Sequence, residues 1–176
     1  KPDAAIIAVG GVRDTLELSE TTGTKVIPLP DFLTAEIGSE VTIVGSNAQA
    51  VDAALYLMAQ GKHVTMVTPD SMDQFDKGQS NWVKTFVKPM LLARGMRIWP
   101  HAEIVSVGDG EVTIAGETGA EITLSCDAVI EAMDMLPNPS LGEETSGIEV
   151  HVVGDAAKPW NIAEAIAAGN LAARAL

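Results

Sequence analysis

The sequence predicts an α/β fold in which a parallel sheet is joined to an antiparallel β-meander. Three observations predict it. The stretch Glu40 to Thr68 reads as strand, tight turn, helix and strand. Beyond Pro100 the pattern changes to apolar–polar alternation broken by glycine turns. Short β-branched runs then return at Asp127–Ala132 and Glu149–Asp155, followed by an Ala-rich helix.

In chain order, Asp3 to Gly11 reads as a buried strand ending in a glycine turn. Val12 to Lys25 is polar and irregular, with Ser19 to Thr24 as loop. Val26-Ile-Pro-Leu-Pro30 reads as an extended linker, because prolines disfavour helix before them and remove donors. Asp31-Phe-Leu suits a short helical turn. Asp70 to Ser80 is polar loop. Asn81 to Arg94 has helical spacing through Trp82, Phe86 and Met90, with Pro89 expected to kink or break it. Gly95 ends it, and Met96–Trp99 is a further strand of the parallel sheet. Ala102–Val107, Glu111–Ala115 and Glu121–Leu124 are the meander, turning at Gly108-Asp-Gly110 and Gly116–Gly119. Leu136-Pro-Asn-Pro139 reads as a turn. Asn161 to Leu176 is a helix with Ile162, Ala165, Ile166 and Gly169 along one face.

The stretch from Glu40 carries the functional signal. Val41, Ile43 and Val44 suit a strand buried on both faces. Val51, Ala54, Leu55 and Met58 share one face of the helix, and Gly61 sits at its C-cap. A second apolar run, Val64 to Val67, completes a βαβ unit of the Rossmann-like, three-layer, dinucleotide-binding type. The phosphate fingerprint of such units is G-x-G-x-x-G. Here Gly45-Ser46-Asn47-Ala48-Gln49-Ala50 keeps the first glycine and an acceptable third residue. Asn47 replaces the second glycine, where it tolerates a left-handed conformation and fills space near a phosphate. The acidic ribose ligand expected at the end of the second strand is Thr68, with Asp70 a turn too far. The fold signal is therefore stronger than the ligand signal.

Composition bounds the alternatives. The chain has 176 residues, 47% of them hydrophobic and 20% charged, as a globular domain with a sizeable core requires. A net charge of −13 argues against nucleic acid and anionic membranes as partners. No apolar run approaches a membrane span and no signal peptide opens the chain. It begins at Lys1 without Met, which reads as a piece of a longer protein. A single cysteine, Cys126, excludes an internal disulfide and suits a small buried hydrophobe. The expected setting is the cytoplasm.

The order of these segments resembles the flavoprotein reductases with two dinucleotide-binding domains. The tail Gly154-Asp-Ala-Ala-Lys-Pro-Trp-Asn-Ile-Ala-Glu-Ala-Ile-Ala-Ala-Gly169 is similar to that of old yellow enzyme relatives carrying such domains. These are 2,4-dienoyl-CoA reductase, the 2-enoate reductases and trimethylamine dehydrogenase. The resemblance spans essentially the whole chain. It implies an NAD(P)-type domain over about 28–147, inserted into a flavin-type domain of which 1–11 and 149–176 are the terminal pieces. It implies Gly10, Gly154 and Asp155 beside FAD or ADP, with the helix from Asn161 pointing its N-terminus at that cofactor. It implies Gly45, Ser46, Asn47, Ala48, Ala50, Thr68 and Asp134 around NAD(P)H. A barrel with FMN and an iron–sulfur cluster would lie in absent parts of the parent.

Asp134 stands where the family usually has glycine, and a carboxylate there would repel a cofactor phosphate. Two functions follow. One is a nicotinamide-binding region that delivers hydride to flavin within the parent enzyme. The other is a structural or docking domain that has lost the nucleotide, as in trimethylamine dehydrogenase, with electrons exchanged through an electron-transfer flavoprotein. No residue of the chain reads as catalytic, since the cofactors carry the chemistry. His63, His101 and His151 are dispersed, so no metal site is expected. Trp82, Trp99 and Trp160 are expected to pack.

Overall fold

A computed structural model describes residues 2–18, 21–145 and 147–176. Ser19 and Glu20 of the expected loop, and Lys1, lie outside the described residues. The strands are β1 (Ala4–Ile7), β2 (Val12–Arg13), β3 (Lys25–Pro28), β4 (Glu40–Val44), β5 (His63–Val67) and β6 (Arg97–Trp99). They continue with β7 (Ala102–Val107), β8 (Glu111–Gly116), β9 (Glu121–Ser125), β10 (Ala128–Glu131), β11 (Met135–Leu136) and β12 (Glu149–Val152). The helices are α1 (Ala48–Ala59), α2 (Asn81–Ala93), α3 (Ser140–Glu144) and α4 (Ile162–Ala175). The chain divides into two compact units, Thr15–Met133 and Lys1–Asp14 with Asp134–Leu176.

In the Thr15–Met133 unit a parallel sheet has the order β3-β10-β4-β5-β6. All four residues of β10 are buried, and it pairs with β3 and β4 at once. Val41, Ile43, Val64, Met66 and Ile130 make one core cluster with Ala50, Val51, Ala54 and Leu57 of α1. A second cluster joins Val44, Val67 and Val129 to Ile104, Val107, Val112 and Ile114 of the antiparallel β7-β8-β9 meander. The parallel sheet is thus covered by apolar side chains from different elements on its two faces.

The linker expected at Val26–Pro30 is instead the edge strand β3, followed by a 3₁₀ turn at Leu29–Asp31. Pro28 closes β3 on the sheet edge, where a missing N–H costs no ladder bond. Helix α2 continues through Pro89 rather than breaking there. Trp82 is 74% exposed, so it does not pack into the core as expected. It meets Phe86 edge to face, with ring centroids 4.8 Å apart. Trp99 does lie partly buried against the second cluster.

In the other unit β1 pairs with β12 in parallel and β2 with β11 antiparallel. Two segments expected to be irregular, at Val12 and Leu136, therefore form a ladder. Strands β1 and β12 are only partly buried, not fully as expected, because their sheet has two strands. Ile162 and Ile166 on the expected packing face of α4 are 80% and 67% exposed, and Ala172 is its buried residue. Trp160 is exposed as well.

Among the described residues no group of three or more His, Cys, Asp or Glu could hold a metal ion. Each histidine instead pairs with a glutamate: His63 with Glu40, His101 with Glu117 and His151 with Glu149. No described helix is long and apolar enough to cross a membrane.

Candidate dinucleotide site

The turn after β4 is built around Gly45. Its φ is +116°, a backbone state that side chains rarely adopt. A Cβ there would overlap Ala132 O and come within 2.9 Å of that carbonyl carbon. Gly45 N donates to Val67 O at 2.9 Å, and Ala132 N donates to Val44 O at 2.9 Å. The glycine is therefore required by the close approach of the β10 exit to the turn.

Asn47 is the N-cap of α1. Its φ is −71° and its ψ 171°, so the left-handed conformation that Asn tolerates is not used. Its Oδ1 accepts from Ala50 N at 3.0 Å and its Nδ2 donates to Ala132 O at 2.9 Å. The carboxamide thus lies back on the turn, capping the helix on one side and tying it to β10 on the other. Ala48 begins α1, and the buried Ala50 packs into the core cluster.

Ser46 and Thr68 are both buried. Thr68 N donates to Trp99 O at 3.0 Å, and its Oγ1 accepts from Asp70 N at 3.1 Å. Its hydroxyl is committed to a local turn. Asp70, expected to lie too far away, comes to the phosphate turn instead. Ser46 Oγ donates to Asp70 Oδ2 at 2.7 Å, and Lys77 Nζ meets the same oxygen at 3.1 Å.

The loop after β5 folds back onto the turn. Asp76 N donates to Ser46 O at 2.7 Å, and Lys77 forms a parallel bridge with Asn47. Asp76 has φ +58° and is 1% exposed. Neither of its carboxylate oxygens has a hydrogen-bond partner. Burial pushes its pKa up to about 6; Lys84 lowers it and Asp52 raises it further. Sequence reasoning missed Asp70, Asp76 and Lys77 as a group. The only local hint was an Asp followed two residues later by Gly78, which is also left-handed at φ +93°.

The candidate flavin-side residues fall in the other unit. Gly10 has φ +80° with open space where a Cβ would be. A Cβ on Gly11 would lie 2.7 Å from Leu136 O and 3.3 Å from Asp155 O. Gly154, at φ +61°, opens a single 3₁₀ turn to Ala156. Asp155 Oδ1 accepts from Trp160 N at 3.3 Å. Asn161 caps α4 through Glu164 N at 2.9 Å. Gly11 and Asp155 are thus brought together. Asp134 is exposed, and its carbonyl accepts from Asp14 N at 2.9 Å.

Comparison with known proteins agrees with this architecture. The chain is 26% identical over 180 residues to NADH oxidase of Thermoanaerobacter brockii, covering 96% of this chain and 27% of that protein. The structure of 2-naphthoyl-CoA reductase in complex with 2-naphthoyl-CoA matches with a TM-score of 0.76 and 23% identity, over 96% of this chain and 26% of that one. Histamine dehydrogenase from Rhizobium sp. 4-9 matches with a TM-score of 0.78 and 22% identity, over 99% and 30%. The chain therefore spans about a quarter of the length of the NADH oxidase it matches. The model of one family, described as pyridine nucleotide-disulphide oxidoreductase, matches residues 20–138. The chain belongs to the pyridine nucleotide-disulphide oxidoreductase family.

Proposed function

We propose that the chain is the dinucleotide-binding region of an FAD- and NAD(P)H-dependent flavoprotein oxidoreductase of the old yellow enzyme-like kind. The observation that carries this reading is the position of the Asn47 carboxamide. It is drawn onto Ala50 N and Ala132 O, which removes the steric objection raised by the altered fingerprint. In this reading the bend at Gly45 lets the backbone approach, and the turn at Ser46 and Ala48 takes the pyrophosphate at the positive end of α1. Asp70 and Lys77 supply an acid and a cation of the kinds that ribose hydroxyls and phosphates accept. Gly10, Gly154 and Asp155 are proposed to face the flavin dinucleotide. The nicotinamide, when bound, supplies the hydride that the flavin takes up. The parent's substrate-side barrel, its FMN and its iron–sulfur cluster belong to the same proposal.

The rival is a retained scaffold without nicotinamide, serving as a docking domain for the parent or an electron-transfer flavoprotein. The buried Thr68, which stands where the ribose-binding acid is expected, favours it. Calorimetric titration of the folded chain with NADH, NADPH and ADP separates the two. Saturable micromolar binding of NADH or NADPH is expected. No heat with any of the three would leave the scaffold reading.

A further inference from the structure

The loop after β5 does more than connect. Phe75 is 3% exposed and belongs to the core cluster, so the loop is anchored by burial. Lys88 of α2 donates to Met72 O at 3.2 Å and fixes its start. Its middle is pinned to the candidate phosphate turn by Asp76 N to Ser46 O at 2.7 Å and by the Asn47–Lys77 bridge. Yet the residue making the shortest of these bonds is an Asp in the left-handed region, with its carboxyl buried and unpartnered. A glycine or asparagine would meet the backbone requirement without burying an acid.

We propose that Asp76 is a positioning residue of the nucleotide turn, whose protonated carboxyl keeps the Asp70–Gly78 segment docked on Ser46 and whose ionisation releases it. The proposal rests on the reading of this turn as a nucleotide site. A neutral carboxyl can be buried at modest cost, whereas an unpaired carboxylate is driven toward water. The charged groups that act on it are Asp52 of α1, which disfavours the ionised form, and Lys84 of α2, which favours it. Within the segment Asp70 and Lys77 pair with each other. With the docked carboxyl titrating at about 6 against 3.8 when released, the docking equilibrium weakens about tenfold between pH 5 and pH 8. Loss of docking frees the Ser46 carbonyl and loosens the turn, so nucleotide binding weakens in the same window.

The test is amide hydrogen exchange of the 70–80 segment at pH 5, 6, 7 and 8, corrected for intrinsic rates. It is run on the wild-type chain, Asp76→Asn and Asp76→Gly, beside NADH titrations at the same pH values. Protection in the wild type should fall about tenfold across the range and stay flat in both variants. The second variant suits the left-handed backbone and keeps the test decisive if the first folds poorly. Flat protection in the wild type, or the same fall in the variants, would overturn the proposal. Absence of NADH binding at every pH, with the pH-dependent protection intact, would overturn the nucleotide reading alone.

Discussion

Ala132 O occupies the space that a side chain on Gly45 would need, and Asn47 Nδ2 donates to that same oxygen at 2.9 Å. One carbonyl at the exit of β10 therefore dictates both residues of the turn. It demands glycine at the first and rewards a donor at the third.

Gly45→Ala should be severely destabilising. The variant combines a left-handed backbone with a clash against main chain, which cannot swing away as a side chain could. The expected loss is on the order of 2–4 kcal/mol. Urea unfolding should show a lower midpoint with an unchanged slope.

Asn47→Ala removes the helix cap and leaves Ala132 O without its side-chain donor. The expected loss is about 1–2 kcal/mol. Asn47→Gly keeps a tolerated N-cap residue and loses the Ala132 bond, so it should cost less than the Ala variant. Because the carboxamide does not project from the turn, the Gly variant should not tighten NADH binding by calorimetry.

Asp76→Asn should stabilise the protein at neutral pH. The folded-state pKa of Asp76 is raised from 3.8 to about 6. A raised pKa means that the folded state holds the proton more tightly, so the stability it brings is present below pH 4. That stability is lost as pH rises through about 6. A shift of this size corresponds to about 3 kcal/mol at most. Thermal unfolding of wild type and variant should coincide below pH 4, diverge between about pH 4 and 6, and stay apart by a constant amount above that.

Cys126 is 1% exposed, its Sγ lies 3.1 Å from Ala128 O, and burial pushes its thiol pKa up. Ellman's reagent at pH 8 should label the folded chain slowly and the urea-unfolded chain at once. Rapid labelling of the native protein would contradict the burial.

The βαβ unit was legible because its signals are local. Val41, Ile43 and Val44 announce a buried strand, Gly45 the turn, and Gly61 the end of the helix. Strand β3 was not, because Val26-Ile-Pro-Leu-Pro carries two prolines and only its place on the sheet edge excuses them. Trp82 and Phe86 misled for a different reason. Helix α2 has apolar residues on more than one side, and periodicity cannot say which side faces the sheet; Leu91 does, while Trp82 faces water. The Ile162–Ile166 face of α4 misled in the same way. At the site, Gly45 and Asn47 were identified from the fingerprint, but the roles of Asp70, Asp76 and Lys77 depend on how a polar loop folds back. No spacing rule encodes that return.

The central position of β10 has a consequence for how the Thr15–Met133 unit comes into being. It is the last strand of its sheet in chain order, yet it lies between β3 and β4. On a ribosome, β4, α1, β5 and β6 emerge long before it. Until residue 131 is made, β4 has an unpaired edge, and β3 has no neighbour to pair with in its native order. Any direct pairing of β3 with β4 would have to be undone before β10 could insert. Completing this sheet thus waits on its most distant pairing in sequence, β3 with β10, and a topology of this kind is expected to fold more slowly than one built from neighbouring strands.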